Sequence, residues 1–337
     1  MVAGDEMISL MVSNVDEIVW TPESPKLEFP ADVYIGRAGK NLRFRKLRSL
    51  LELGSDVNLI GIVTEGEKID LATSDESAMR FLTMRQVIGR LQEITQEKIA
   101  AGFQLITLVV DVSCLPRGEQ GALFAALGEL ACQIEIRLAI GYSLSRYMPP
   151  PQKWARSVTP VAPVHASFAG WGDPFMPIHV VVGLGYEAGK AFGVVQYLEP
   201  AHCTPLMPVS PEERFLVSVE KQNHDFLKRH PHPLRYEVMQ PARTYLSLMS
   251  VLSGILRDHR AILLPFGPKI LFTLSLLAGL VHPQVSVWYV EGEDNQQSDE
   301  GSPSGHAALL TCNLAVYTKP EYSAESSTSW EDSYDKG

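Results

Sequence analysis

The chain has 337 residues, 45% of them hydrophobic and 20% charged, which is enough apolar material for one large core or two medium ones. Its net charge of −10 argues against a surface that grips nucleic acid as a whole. Four scattered cysteines (Cys114, Cys132, Cys203, Cys312) form no C-x-x-C pair, and so no disulfide framework or zinc ribbon is expected.

The first residues carry acids and no basic stretch, unlike a secretory leader, and no apolar run is long enough to span a bilayer. A cytoplasmic protein with reduced thiols is the expectation. Strands are predicted at Asp32 to Ile35, Asn58 to Val63, Gln104 to Val112 and Glu135 to Ile140, with helices at Asn41 to Leu53, Ser77 to Ala101 and Gly118 to Cys132. The middle helix places Met79, Leu82, Met84, Val87, Ile88, Leu91 and Ile94 near a period of 3.6. The first helix opens with four cations in six residues, Arg43 to Arg48. A solvated helix face is the plain reading. Its place after the Gly36 turn also makes Arg37, Arg43 and Arg45 candidates for a phosphate or an acidic partner.

Residues 149–176 are rich in proline and glycine and read as a linker. Beyond it, strands are predicted at His179 to Val182, Pro205 to Val209, Leu234 to Met239, from Ala261 and from Val285. Helices are predicted at Glu187 to Leu198, Pro211 to Arg229, Ala242 to Asp258 and from Pro268. The strands are unalternating apolar runs, the sign of a parallel sheet covered on both faces. The fold class expected is therefore α/β, with two Rossmann-like halves, 1–148 and 177–317, and mostly parallel sheets. Val33 to Phe44 and Val180 to Phe192 share a strand, glycine-lysine turn and helix, which raises a duplication with a ligand between the halves. The acidic segment from Glu291, the last strand Ala307 to Val316 and an acidic tail, 318–337, complete the chain.

The turn Gly183-Leu184-Gly185-Tyr186-Glu187-Ala188-Gly189-Lys190 is not a P-loop, because five residues separate Gly183 from Gly189 and Ala191, not Ser or Thr, follows the lysine. It is nearer a dinucleotide fingerprint, yet no acid stands at the end of the next strand to hold a ribose. Tight turns that need glycine for backbone geometry explain it equally well. Lys269, after Gly267-Pro268 at a helix start, is electrostatically misplaced unless something negative sits nearby, because helix N-termini favour anions. Asp111 ends the apolar strand LITLVVD and is the best single carboxylate, either for a cation or as a cap through Ser113.

No G-x-S-x-G, H-E-x-x-H or nuclease carboxylate series is present, so no catalytic set is assigned. His224, His230, His232 and His282 invite a metal, but the RHPHP run fits a helix C-terminus better, and no metal site or cofactor is assigned. The stretch Ala261 to Gly292, with Gly267, Lys269 and Trp288-Tyr289-Val290, resembles the C-terminal ligand-binding motif of CARF-type and SAVED-type Rossmannoid domains of prokaryotic defence systems. Pro265-Phe266-Gly267-Pro268 replaces the polar Thr-Gly-Gly-Thr usual there. The resemblance implies sensing of cyclic oligonucleotides by a non-enzymatic subunit that works with protein partners. The ligand-binding candidates are Arg37, Asp111, Gly183, Gly185, Tyr186, Glu187, Gly267 and Lys269. An enzyme acting on a nucleotide or phosphoester through Asp111, Glu187 and Lys269, and a pure protein-interaction module, are the competing classes.

Overall fold

In a computed structural model that describes residues 9–38, 42–66, 79–150, 160–290 and 301–317, apolar runs become parallel strands and the 3.6-period stretches become the helices between them. The chain begins with β1 (Leu10–Trp20), β2 (Leu27–Glu28), β3 (Val33–Arg37), α1 (Leu42–Leu50), β4 (Leu51–Glu52), β5 (Asn58–Ile62) and β6 (Arg80–Leu82). It continues with α2 (Met84–Ala100), β7 (Leu105–Asp111), α3 (Arg117–Ala131) and β8 (Glu135–Ser145). The linker holds β9 (Val161–Pro163), and after it come β10 (Ile178–Gly183), α4 (Lys190–Leu198), β11 (His202–Val209), α5 (Glu213–Gln222), α6 (His224–Arg229) and β12 (Leu234–Glu237). The last elements are α7 (Pro241–Ile255), β13 (Arg260–Pro265), α8 (Lys269–Val281), β14 (Ser286–Val290) and β15 (Pro303–Val316).

Two large sheets result, in the orders β1-β15-β8-β7-β3-β5-β6 and β12-β11-β10-β13-β14-β9. From β8 to β6 and from β12 to β14 every pairing is parallel, which gives the two mostly parallel Rossmann-like halves expected. Numbered within each half, the parallel strands run 3-2-1-4-5 in both. An antiparallel strand then closes the same side of each, β15 beside β8 and β9 beside β14. The helices repeat as well: α1 and α4 follow the first strands, α2 and α7 precede the fourth, and α3 and α8 follow it.

The chain does not keep its halves separate. The last strand, β15, placed in the second half from sequence, crosses back and pairs with β8 and β1 in the first sheet. The linker likewise contributes β9 to the second sheet. β1 is a strand that the sequence pattern does not reveal. Its bulge between Ser13 and Asp16, with Asn14 at φ 52°, and its acids Asp16 and Glu17 blunt an edge that would otherwise offer unpaired amides.

One apolar cluster runs through both halves and joins Val87, Leu91, Phe124 and Leu127 to Leu248, Leu252, Leu274 and Leu277. The helices α2, α3, α7 and α8 thus form a common layer between the sheets. This position explains α8: ten of its thirteen residues are buried, so it is apolar on every side. Separate clusters lie on the far faces, one around Tyr34, Phe44 and Leu47 under α1, the other around Val182, Val194 and Phe226 under α4 to α6.

Several boundaries move for local reasons. The helix expected from Ser77 starts at Met84, because Thr83 and Gln86 form a capping box; residues 77 and 78 lie outside the described residues. The helix expected from Pro211 to Arg229 is broken into α5 and α6 at Asn223, whose side-chain amide donates to the carbonyls of Val219 and Gly185. Pro268, expected as the first helical residue, is instead the extended N-cap (φ −58°, ψ 133°), and Lys269 opens α8. The acidic segment 291–300, the tail and Lys40 lie outside the described residues.

Candidate functional site

The carboxyl ends of the two sheets meet on one side of the molecule. In the first half, Gly36 on β3 lies level with Asp111 on β7, and Asp111 with Gly141 on β8. In the second, Gly183 ends β10 level with Pro265 on β13. The fourth strand of each half then turns into the shared helix layer through an extended proline and a basic first residue: Pro116-Arg117 into α3, Pro268-Lys269 into α8. These helices pack side by side in the same direction, since Thr273 Oγ1 near the start of α8 donates to Gln120 Oε1 near the start of α3 at 2.7 Å. Both basic helix starts therefore reach the same edge.

Arg117 joins them. Its guanidinium Nη2 donates to the carbonyl of Gly267 at 2.6 Å, and it is 7% exposed. Arg117 was not singled out from sequence. Its signal was the repetition of Pro-basic at equivalent positions in the two halves, legible once the fourth strands are matched.

The glycines of the second half serve close packing. Gly267 has φ 87°, and a side chain there would meet the carbonyl oxygen of Leu184 at 2.5 Å. A Cβ on Gly185 would meet the Gly267 nitrogen at 2.9 Å and the carboxylate of Glu187, so the loop after β10 lies backbone to backbone on the turn before α8. Gly183 is closed in the same way, by the carbonyl of Phe266 at 2.8 Å. Lys190, opening α4, lies over the Phe266 ring at 4.7 Å.

Tyr186 crosses the seam. Its ring stacks on Phe215 with centroids 5.8 Å apart and planes 10° apart, and Phe215 meets Tyr147, beyond β8 of the first half, edge-on at 5.4 Å. The Tyr147 and Ser218 hydroxyls lie 2.8 Å apart, which ties the end of the first sheet to α5.

Asp111 is 1% exposed and lies beneath the edge. It accepts from Ser113 N at 2.8 Å and from the Tyr34 hydroxyl at 3.3 Å, while the Ser113 hydroxyl accepts from Ser143 N at 2.8 Å. Burial lifts its carboxyl to about 6, against the opposing pull of the Ser113 hydrogen bonds. The bond from Ser113 N closes a turn just after β7 and is not a cap of α3, whose N-cap, Pro116, carries no side-chain hydrogen bond. Arg37, at the end of β3, donates to Thr64 Oγ1 at 2.7 Å and faces Glu119 of α3 at 3.6 Å.

The histidines proposed for capping stand apart. His230 and His282 follow α6 and α8, and their backbone amides close the helices on Phe226 and Ala278. Three others, His179, His202 and His259, gather with ring centroids 4.9 to 5.7 Å apart. They stand at the amino ends of β10, β11 and β13, on the edge opposite Arg117 and Lys269. Among the described residues, no group of three or more His, Cys, Asp or Glu side chains could hold a metal ion. An open groove of about 550 Å³ beside α4 and α6 is lined by Gly189, Phe192, Lys221, His224, Lys228 and Arg229.

No protein-family model matches the chain, and no curated protein matches it in sequence. The arrangement of its own residues is therefore what speaks to function. Among the described residues no helix is long and apolar enough to cross a membrane.

Proposed function

We propose that the chain is a non-enzymatic sensing or scaffolding subunit of a multi-component cytoplasmic system, and that it takes a nucleotide or another anionic small molecule where its two sheet ends meet. The observation that carries this reading is the convergence of Arg117 and Lys269, each the first residue of a helix, on one edge, with Arg117 bound to the Gly267 carbonyl. Aligned helix starts and cationic side chains favour negative charge, and crevices outside the carboxyl ends of parallel strands are where α/β sheets bind ligands. The resemblance to CARF-type and SAVED-type domains adds anti-phage defence as the setting and cyclic oligonucleotides as one ligand class.

Binding is favoured over catalysis because the carboxylate a phosphoester enzyme would use here, Asp111, is closed beneath the edge by Ser113 and Tyr34. A role within an assembly is supported by Trp171 and Phe175, 80% and 94% exposed on one short loop. Extended nucleic acid is not the expected partner for a chain of net charge −10.

Calorimetric titration with mono-, di- and cyclic oligonucleotides tests the reading. Wild type is expected to bind at least one of them. Lys269→Ala should weaken that binding about tenfold or more, as loss of one charge-assisted hydrogen bond of ~1.5 to 3 kcal/mol requires. Absence of binding by wild type, or equal binding by the variant, makes the turn structural and leaves the interaction-module reading.

A further inference from the structure

The groove of about 550 Å³ in the second half lies between the start of α4 and the segment from Lys221 to Arg229. Its volume is within the range of roughly 300 to 1,000 Å³ usual for small-molecule sites. Gly189 and Phe192 stand on one side of it; Lys221, His224, Lys228 and Arg229 stand on the other. Asn223, 4% exposed, lines it as well and donates to the Gly185 carbonyl at 2.8 Å, which fixes that segment against the loop leading into α4.

The charges in this groove do not balance. Asp225 is its one carboxylate, and it already faces Lys228 at 3.6 Å. Among the described residues no carboxylate pairs with Lys221 or Arg229. Arg229 instead reaches across to α4, with its guanidinium 4.7 Å from the centroid of the Phe192 ring. Helix α4 begins here too, from Gly189 at φ 75°, with no side-chain cap and no acid in its first turn. Glu187, just before it, has its carboxylate against Gly185. A cation near the end of α5 or α6 suits its own helix, but the same charges stand against the positive start of α4, and a bound anion relieves that conflict. There is room for one, since a Cβ on Gly189 would meet nothing within 4 Å.

We propose that this groove binds the phosphoryl group of a small phosphorylated molecule. Lys221, Lys228 and Arg229 against Asp225 leave an excess of two positive charges, in a chain whose net charge is −10. A phosphomonoester, at about −1.5 to −2 near pH 7, matches that excess. The first amides of α4 donate to the phosphoryl oxygens, Lys221 and Arg229 supply charge-assisted bonds, and His224 adds a ring N–H. The site lies wholly in the second half, and neither Arg117 nor Lys269 lines it, so it goes beyond the reading of the seam and stands or falls separately.

The test uses the full chain, with inorganic phosphate as probe against chloride at matched ionic strength and neutral pH, read by titration calorimetry beside thermal melts. Wild type is expected to bind phosphate in preference to chloride. Lys221 and Arg229 are exposed, so Lys221→Gln with Arg229→Gln should melt like wild type and bind phosphate about tenfold or more weakly. Lys221→Gln alone leaves the contact of Arg229 with Phe192 in place and should weaken binding about threefold or more. Arg85→Gln, an exposed cation on α2, should bind as wild type does. Failure of wild type to distinguish phosphate from chloride overturns the proposal, as does unchanged binding in the double variant or an equal loss in Arg85→Gln. A polyglutamate peptide that binds where phosphate does not makes the groove a seat for an acidic protein and overturns the small-molecule ligand. If Lys269→Ala loses phosphate while the double variant keeps it, the anion belongs to the seam: the groove proposal falls and the seam reading remains.

Discussion

Gln120 and Thr273 join the two halves through a single buried hydrogen bond, Thr273 Oγ1 to Gln120 Oε1 at 2.7 Å, with both residues 0% exposed. The Gln120 amide nitrogen also donates to the Leu115 carbonyl at 2.9 Å, so this one side chain links the start of α3 to the loop before it and to α8. Thr273→Val keeps the shape and removes the donor, and leaves a buried acceptor unmatched. The expected loss is about 1 to 3 kcal/mol in urea unfolding. Adding Gln120→Met, which removes the orphaned acceptor, should recover part of that loss; two additive losses would mean that the pair is not coupled.

Gly267 tolerates no side chain, by its φ of 87° and by the Leu184 carbonyl 2.5 Å from where Cβ would stand. Gly267→Ala should therefore cost roughly 1 to 3 kcal/mol and displace the carbonyl that Arg117 holds. Denaturant unfolding measures the first effect. If Gly267→Ala melts like wild type, the backbone contact between the two loops is not what fixes this turn.

Asp111→Asn should stabilise the protein at pH 7, by on the order of 1 to 3 kcal/mol, since each tenfold change in proton affinity between the folded and unfolded chain is worth about 1.4 kcal/mol. Burial lifts the Asp111 carboxyl from 3.8 to about 6, so the fold retains a proton there that the unfolded chain releases. Its contribution is greatest below pH 3.8 and falls away as pH rises through 6. Asparagine keeps an acceptor for Ser113 N and carries no charge. Asp111→Ala removes the acceptor and should destabilise instead. Melts of both variants at pH 7 decide; a destabilised Asp111→Asn would show that the charge itself is needed.

The histidines act in the opposite direction. Burial lowers His179 first, with His202 and His259 adding to it, and burial also lowers His230 and His282. The unfolded chain then binds protons that the fold resists, so stability is full above pH 6.5 and declines as pH falls below it. His179→Gln, which keeps a partner for Thr204 Oγ1 at 2.8 Å, should flatten the decline below pH 6.5. Parallel pH profiles for wild type and His179→Gln would show that the cluster does not govern the acid response.

The alternation of strands and helices was legible because each parallel strand, buried on both faces, is a short apolar run between turn residues; Ile106 to Val110 and Ala261 to Leu264 are examples. What local pattern does not carry is which strand pairs with which. β1, with acids on a half-exposed face, has no clear alternation and owes its form to β15, nearly three hundred residues away. The site was half legible for the same reason. Gly183, Gly185, Gly267 and Lys269 announce themselves by composition, whereas Arg117 and the His179 group are placed by neighbours distant in sequence.

The return of β15 into the first sheet has a consequence for how the protein is made. β8 ends at Ser145, and the strand that covers it begins only at Pro303. At roughly 5 to 20 residues per second, a ribosome takes about ten to thirty seconds to make the intervening chain. During that time β8 stands as an open, largely apolar edge, and the second sheet is finished before the first. Shelter of that edge until β15 emerges becomes part of the folding route, and a strand made late closes the sheet begun first.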